Sequence, residues 1–103
     1  MKYGLTQQDI DQLQAAFQQF EEIEQVLVFG SRAKGNSKAA SDVDLALKGR
    51  TISSETVRGL RAVLDDLPLP YFFDVVDYKA IGNKELVAHI DRVGKVIYAA
   101  GGA

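Results

Sequence analysis

Apolar residues recur along this chain in two periods, and the changes of period mark out its elements. Ile10, Leu13, Phe17 and Phe20 fall at helical spacing behind Thr6 and Asp9, a capping-box pair with Asp in place of the preferred Glu or Gln. The pattern predicts a first amphipathic helix and makes Phe17 and Phe20 core residues. QVLVF, residues 25–29, is a β-branched and aromatic run that stops at Gly30, the pattern of a buried strand ending in a turn. SRAKG, just beyond, suits a short helical turn. Asp42 to Lys48 reads as a second strand closed by Gly49. Ser53 or Ser54 can cap a second helix, with Val57, Leu60, Leu64 and Leu67 as its apolar stripe and Pro68 and Pro70 as its stop. Tyr71 to Asp77 is a third strand. Asn83 can cap a last helix through Leu86, Val87 and Ile90 that ends near Gly94, leaving Lys95 to Ala99 as a short fourth strand.

This order of helices and strands, in 103 residues without repeats or an internal linker, predicts one domain spanning residues 1–103. Its class is α/β (α+β), a small mixed sheet of about four strands with helices packed on one face. A hydrophobic share of 47% excludes a disordered chain. A formal charge of -2 supplies no basic field for nucleic acid. The absence of cysteine excludes disulfides and thiolate metal sites. The N-terminus turns polar at once, unlike a signal peptide, and no stretch approaches the ~20 apolar residues of a membrane span. A cytoplasmic protein is the expectation.

Within the apolar second strand stand Asp42 and Asp44, two residues apart and therefore on one face. Two carboxylates so placed repel, and one holds its proton unless a cation lies between them. Asp74 stands in YFFDVVDY, another apolar run in which an acid has no packing reason to exist. Neighbouring second and third strands would bring it beside the pair. Asp77 is an odd number of residues from Asp74 and so faces the other way, which ranks it second as the third ligand. Three carboxylates without histidine or cysteine nearby in sequence suit magnesium or manganese and poorly suit zinc. The alternative is that each aspartate merely bonds a nearby backbone amide, which remains natural for Asp42 beside Ser41 and awkward for Asp44 among Val43, Leu45, Ala46 and Leu47.

The Gly-Ser turn after the first strand has the makings of an anion site. Gly30 lets a phosphate approach the main chain, Ser31 adds a hydroxyl, and Arg32 and Lys34 add positive charge. A Walker A loop is excluded, because Gly30, Gly35 and Ser37 are correctly spaced but Asn36 occupies the lysine position.

Together, G-S-R-A-K-G at residues 30–35, S-D-V-D-L at 41–45 and F-D-V-V-D at 73–77 resemble the DNA polymerase beta-like nucleotidyltransferase superfamily. The closer likeness is to the minimal nucleotidyltransferases of bacteria and archaea, over roughly residues 5–100. The resemblance implies a nucleotidyltransferase fold and Mg-dependent transfer of a nucleoside monophosphate, AMP from ATP, to a hydroxyl. Gly30 and Ser31 would hold the triphosphate with the charge of Arg32 and Lys34 nearby. Asp42 and Asp44 would bind two magnesium ions, with Asp74 ligating the catalytic one and orienting or deprotonating the acceptor. It further implies a helical partner of the HEPN type, a ribonuclease toxin silenced by AMP on a tyrosine.

Two other readings compete: transfer to a small hydroxylated molecule, and a non-catalytic subunit that neutralises its partner by contact. The apolar edge at Leu67, Leu69, Tyr71 and Phe72 is a candidate contact surface, with core packing the simpler account. His89, the only histidine, reads as a solvated or packed helical residue rather than a general base. Arg58 and Arg61 read as the wet face of the second helix.

Overall fold

The capping signals carry through into the computed structural model, which describes residues 2–35 and 42–101. The Thr6 hydroxyl accepts from the Asp9 N–H and the Asp9 carboxylate accepts from the Thr6 N–H, opening α1 (Gln7–Phe17). β1 (Gln25–Phe29) follows, then the short turn α2 (Ser31–Lys34), closed by Gly35 in the left-handed region. β2 is Val43–Lys48. Ser53 and Thr56 form the capping box of α3 (Ser54–Asp65). β3 (Phe73–Asp77) runs into a 3-10 turn at Tyr78–Ala80 that the apolar pattern did not announce. Asn83 caps α4 (Lys84–Val93), and β4 is Lys95–Ala99.

Boundaries differ from expectation in a few places. Asp42 precedes β2 instead of opening it, and Tyr71 and Phe72 precede β3, although the Phe72 carbonyl already accepts from the Val43 N–H at 2.8 Å. Phe20 lies beyond the end of α1 and packs half-buried against the core.

The sheet has the order β3-β2-β1-β4. β1 pairs antiparallel with both β2 and β4, whereas β2 and β3 run parallel, so the sheet is mixed. A parallel neighbour requires a crossover, and α3 makes it. Val26, Val28, Val43, Leu45, Leu47 and Val75 form one sheet face and pack with Leu13 and Phe17 of α1 and Leu60 and Leu64 of α3. The expectation of helices on one face holds for α1 and α3. On the other face, α4 covers only part of the sheet, through Ile90 against Phe29 and Ala46, with Leu86, Val93 and Val76 at the margin. Asp44 and Asp74 stand on the rest of that second face. No helix among the described residues is long and apolar enough to cross a membrane.

Leu67, Leu69 and Tyr71 pack against the main core, while Phe72 is 81% exposed. Truncation should therefore separate the two kinds of apolar residue. Leu45→Ala, at a fully buried position, is expected to cost about 2–5 kcal/mol, and Phe72→Ala to change stability by no more than about 0.5 kcal/mol, both read from denaturant midpoints.

Candidate active site

Parallel pairing of β2 with β3 sets Asp44 directly beside Asp74, on strands spaced about 4.8 Å apart. On its other side Asp44 pairs with Phe29, the last residue of β1, so the chain reverses into the Gly-Ser turn next to the carboxylate. Gly30 has φ 74 and ψ -152, a conformation that favours glycine, and a Cβ there would collide with Asp44 Oδ2. The backbone conformation calls for glycine, and any Cβ would also have to displace the Asp44 carboxylate. Asp42 lies exposed just before β2.

Asp44 is the electrostatic focus. Its carboxyl is pushed above the ordinary value, first by burial, then by the negative charges of Asp74 and Asp42, with the positive charge of Arg32 pulling the other way. Asp74 is exposed on the edge strand, and its Oδ1 lies 3.7 Å from Arg61 Nη2. Arg61 also donates to the Val75 carbonyl at 3.1 Å, so the guanidinium reaches around the sheet edge from α3. An exposed pair at this distance is a loose one. Asp77 is set apart: it pairs in register with Leu47, its carboxylate lies 2.9 Å from Lys79 Nζ, and it caps the 3-10 turn. Asp74 and Asp77 thus stand on opposite faces of β3, with Asp74 on the face of Asp44.

The residues of the Gly-Ser turn divide. Ser31 and Lys34 are exposed. Arg32, expected to face a nucleotide, points inward and is 1% exposed. Its Nη1 donates to the Tyr3 carbonyl at 2.9 Å, its Nε to the Asp42 carbonyl at 3.2 Å, and its guanidinium sits over the Tyr71 ring at 4.9 Å. The buried cation thereby ties α2 to the backbone of Asp42, which leads into β2. Asn36, Ser37 and Ser41 of the sequence motifs lie outside the described residues.

Two residues that sequence reasoning left aside join the site. His89 Nε2 accepts from the Gly30 N–H at 3.2 Å, and its ring meets Phe29 edge-on at 6.1 Å. Arg61 is the other. A signal for His89 was available, since it follows Leu86 by three residues and precedes Ile90 and Val93 on the apolar stripe of α4. For Arg61 the sequence holds no comparable mark.

Among the described residues, no three ligating side chains form a ready-made metal cluster. The donor set nevertheless suits a hard divalent cation. Asp44 and Asp74 offer adjacent carboxylates, Asp42 adds its charge to theirs, and all the donors are oxygen.

A family model described as polymerase beta, nucleotidyltransferase, matches residues 11–101. No curated protein sequence matches significantly. Among solved structures, a toxin-antitoxin with AMP-PNP superposes with a TM-score of 0.73 at 19% identity, covering 90% of this chain and 75% of that one. The toxin-antitoxin MntA-HepT gives a TM-score of 0.61 at 18% identity, over 91% of this chain and 73% of that one. A putative nucleotidyltransferase from Sulfolobus solfataricus gives 0.57 at 20% identity, over 91% and 79%. At these identities the likeness is one of fold.

The crowding at Asp44 has a thermodynamic consequence. Because its folded-state value is raised, the folded protein holds the proton more tightly than the unfolded chain. Stability is lost as pH rises from the ordinary value of 3.8 through the raised one, and the loss persists above it. In the presence of a chelator, Asp44→Asn is expected to melt at a higher temperature than the wild type at pH 7. The gap should narrow as pH falls toward 3.8; scanning calorimetry across that range checks both statements.

Proposed function

The chain belongs to the polymerase beta nucleotidyltransferase family, and within it we propose that the protein transfers AMP from ATP to a hydroxyl on a protein partner, as the antitoxin of a toxin-antitoxin pair. The observation that carries this reading is the side-by-side placement of Asp44 and Asp74, with the Gly30 backbone pressed against Asp44. This arrangement puts paired acids next to an exposed turn that can receive phosphates. The AMP-PNP in one toxin-antitoxin of the same fold supports a nucleotide as the ligand.

In the proposed mechanism Gly30 and Ser31 hold the triphosphate, and Lys34 adds its charge from the exposed end of α2. Arg32, buried behind the turn, acts by holding α2 and the Asp42 backbone together. Asp42, Asp44 and Asp74 hold the divalent ions, magnesium or manganese. When bound, these supply neutralisation of the charge on the attacking oxygen and on departing pyrophosphate. The new bond forms between the acceptor oxygen and the α-phosphorus as the bond from that phosphorus to the bridging oxygen breaks. Pyrophosphate leaves with the bond's electron pair. Asp74, on the open edge of the sheet, is placed to orient the acceptor hydroxyl or to take its proton.

The open edge supports a macromolecular acceptor. β3 is the outermost strand, so a macromolecule can present its hydroxyl to Asp74 from the side. A helical HEPN-type toxin with an acceptor tyrosine fits this access, and the toxin-antitoxin character of the structural neighbours supports it.

Incubation of the protein and its co-purifying partner with α-labelled ATP and magnesium tests the proposal. Label is expected on the partner, falling at least about 100-fold with Asp44→Asn, a loss on the scale of removing an essential charge-stabilising group. An unlabelled partner held in a tight complex that needs no ATP would overturn it in favour of inhibition by contact.

A further inference from the structure

The Gly-Ser turn depends on a glycine, and glycine is the residue least able to hold its own conformation. Something else must fix it. Gly30 is approached from two sides: Asp44 Oδ2 lies too close to leave room for a Cβ, and His89 Nε2 receives its N–H at 3.2 Å. The second contact comes from α4, 59 residues away in sequence.

The imidazole is itself well held. It stands on a helix capped by Asn83, whose carbonyl oxygen accepts from the Glu85 and Leu86 N–H groups at 2.9 and 3.2 Å. That helix is anchored by Ile90, 1% exposed, against Phe29 and Ala46. The edge-on contact of the His89 ring with Phe29 leaves Nε2 aimed at the amide that begins the turn. Accepting through Nε2 requires that nitrogen to be unprotonated. A histidine that merely filled space would have no need of this geometry.

We infer that His89 is a positioning residue for the nucleotide: by accepting the Gly30 N–H, it locks the Gly-Ser turn so that Ser31 is presented to the triphosphate beside Asp44. The role rests on the nucleotidyl-transfer reading above. It makes α4 part of the binding site without direct contact to the ligand. Glutamine should substitute in part, because its side-chain carbonyl can reach the same amide.

The test compares wild type, His89→Ala and His89→Gln, each with its Asp44 intact. In the wild type, nitrogen NMR should show an unprotonated Nε2 and a slowly exchanging Gly30 amide. His89→Ala is expected to speed that exchange, weaken AMP-PNP binding about five- to tenfold, the scale of one hydrogen bond, and raise KM for ATP with little change in kcat. His89→Gln should recover most of the affinity. A His89→Ala protein that melts earlier yet binds AMP-PNP as tightly as wild type overturns the positioning role alone, as does a protonated wild-type Nε2. Wild-type protein that binds no AMP-PNP overturns the nucleotide reading itself, and the inference with it.

Discussion

Two carboxylates held abreast by a parallel strand pair are the constraint around which this small fold is arranged. β2 and β3 could not lie parallel without the α3 crossover. Their register then leaves Asp44 facing Asp74 across one inter-strand gap. Burial raises the cost of charging Asp44, and the neighbouring acids raise it further. A fold selected for stability alone gains nothing from this, because an amide of the same shape carries no such repulsion. The site is a place where the sheet is less stable than it could be, and such places are characteristic of function.

The cations around the carboxylates are differently committed. Arg32 is buried and bonded to the carbonyls of Tyr3 and Asp42, so it acts as an internal strut between α2, the N-terminal segment and the start of β2. Arg61 lies loosely by Asp74 at the rim. Lys34 is exposed at the end of α2. This gradation, from strut to rim to surface, separates the charge that maintains the fold from the charge left exposed around the carboxylates.

Most of the fold was legible because its signals are local. Thr6, Ser53 and Asn83 announce helix starts through contacts within three residues. QVLVF marked β1 to the residue. Gly30, Asp44 and Asp74 stood out because each interrupts an apolar run. What could not be read was direction. A sequence shows that Arg32 is charged but not that it points inward, since that depends on Tyr3, Asp42 and Tyr71 closing around it. Arg61 and His89 reach the site from helices that cross the sheet, and only tertiary packing brings them there. The placement of α4 on the second face has the same origin: its apolar stripe announced burial without saying against which side.

The exposed edge of β3 carries a final implication. An active site that builds its own walls shields reactive phosphates from water; here the acid at the rim sits on the outermost strand, with solvent beside it. On the proposed reading, the macromolecule that receives the nucleotide also closes the chamber in which it is received. Hydrolysis and modification then become competing fates decided by docking, and fidelity is a property of the pair of proteins instead of the enzyme alone.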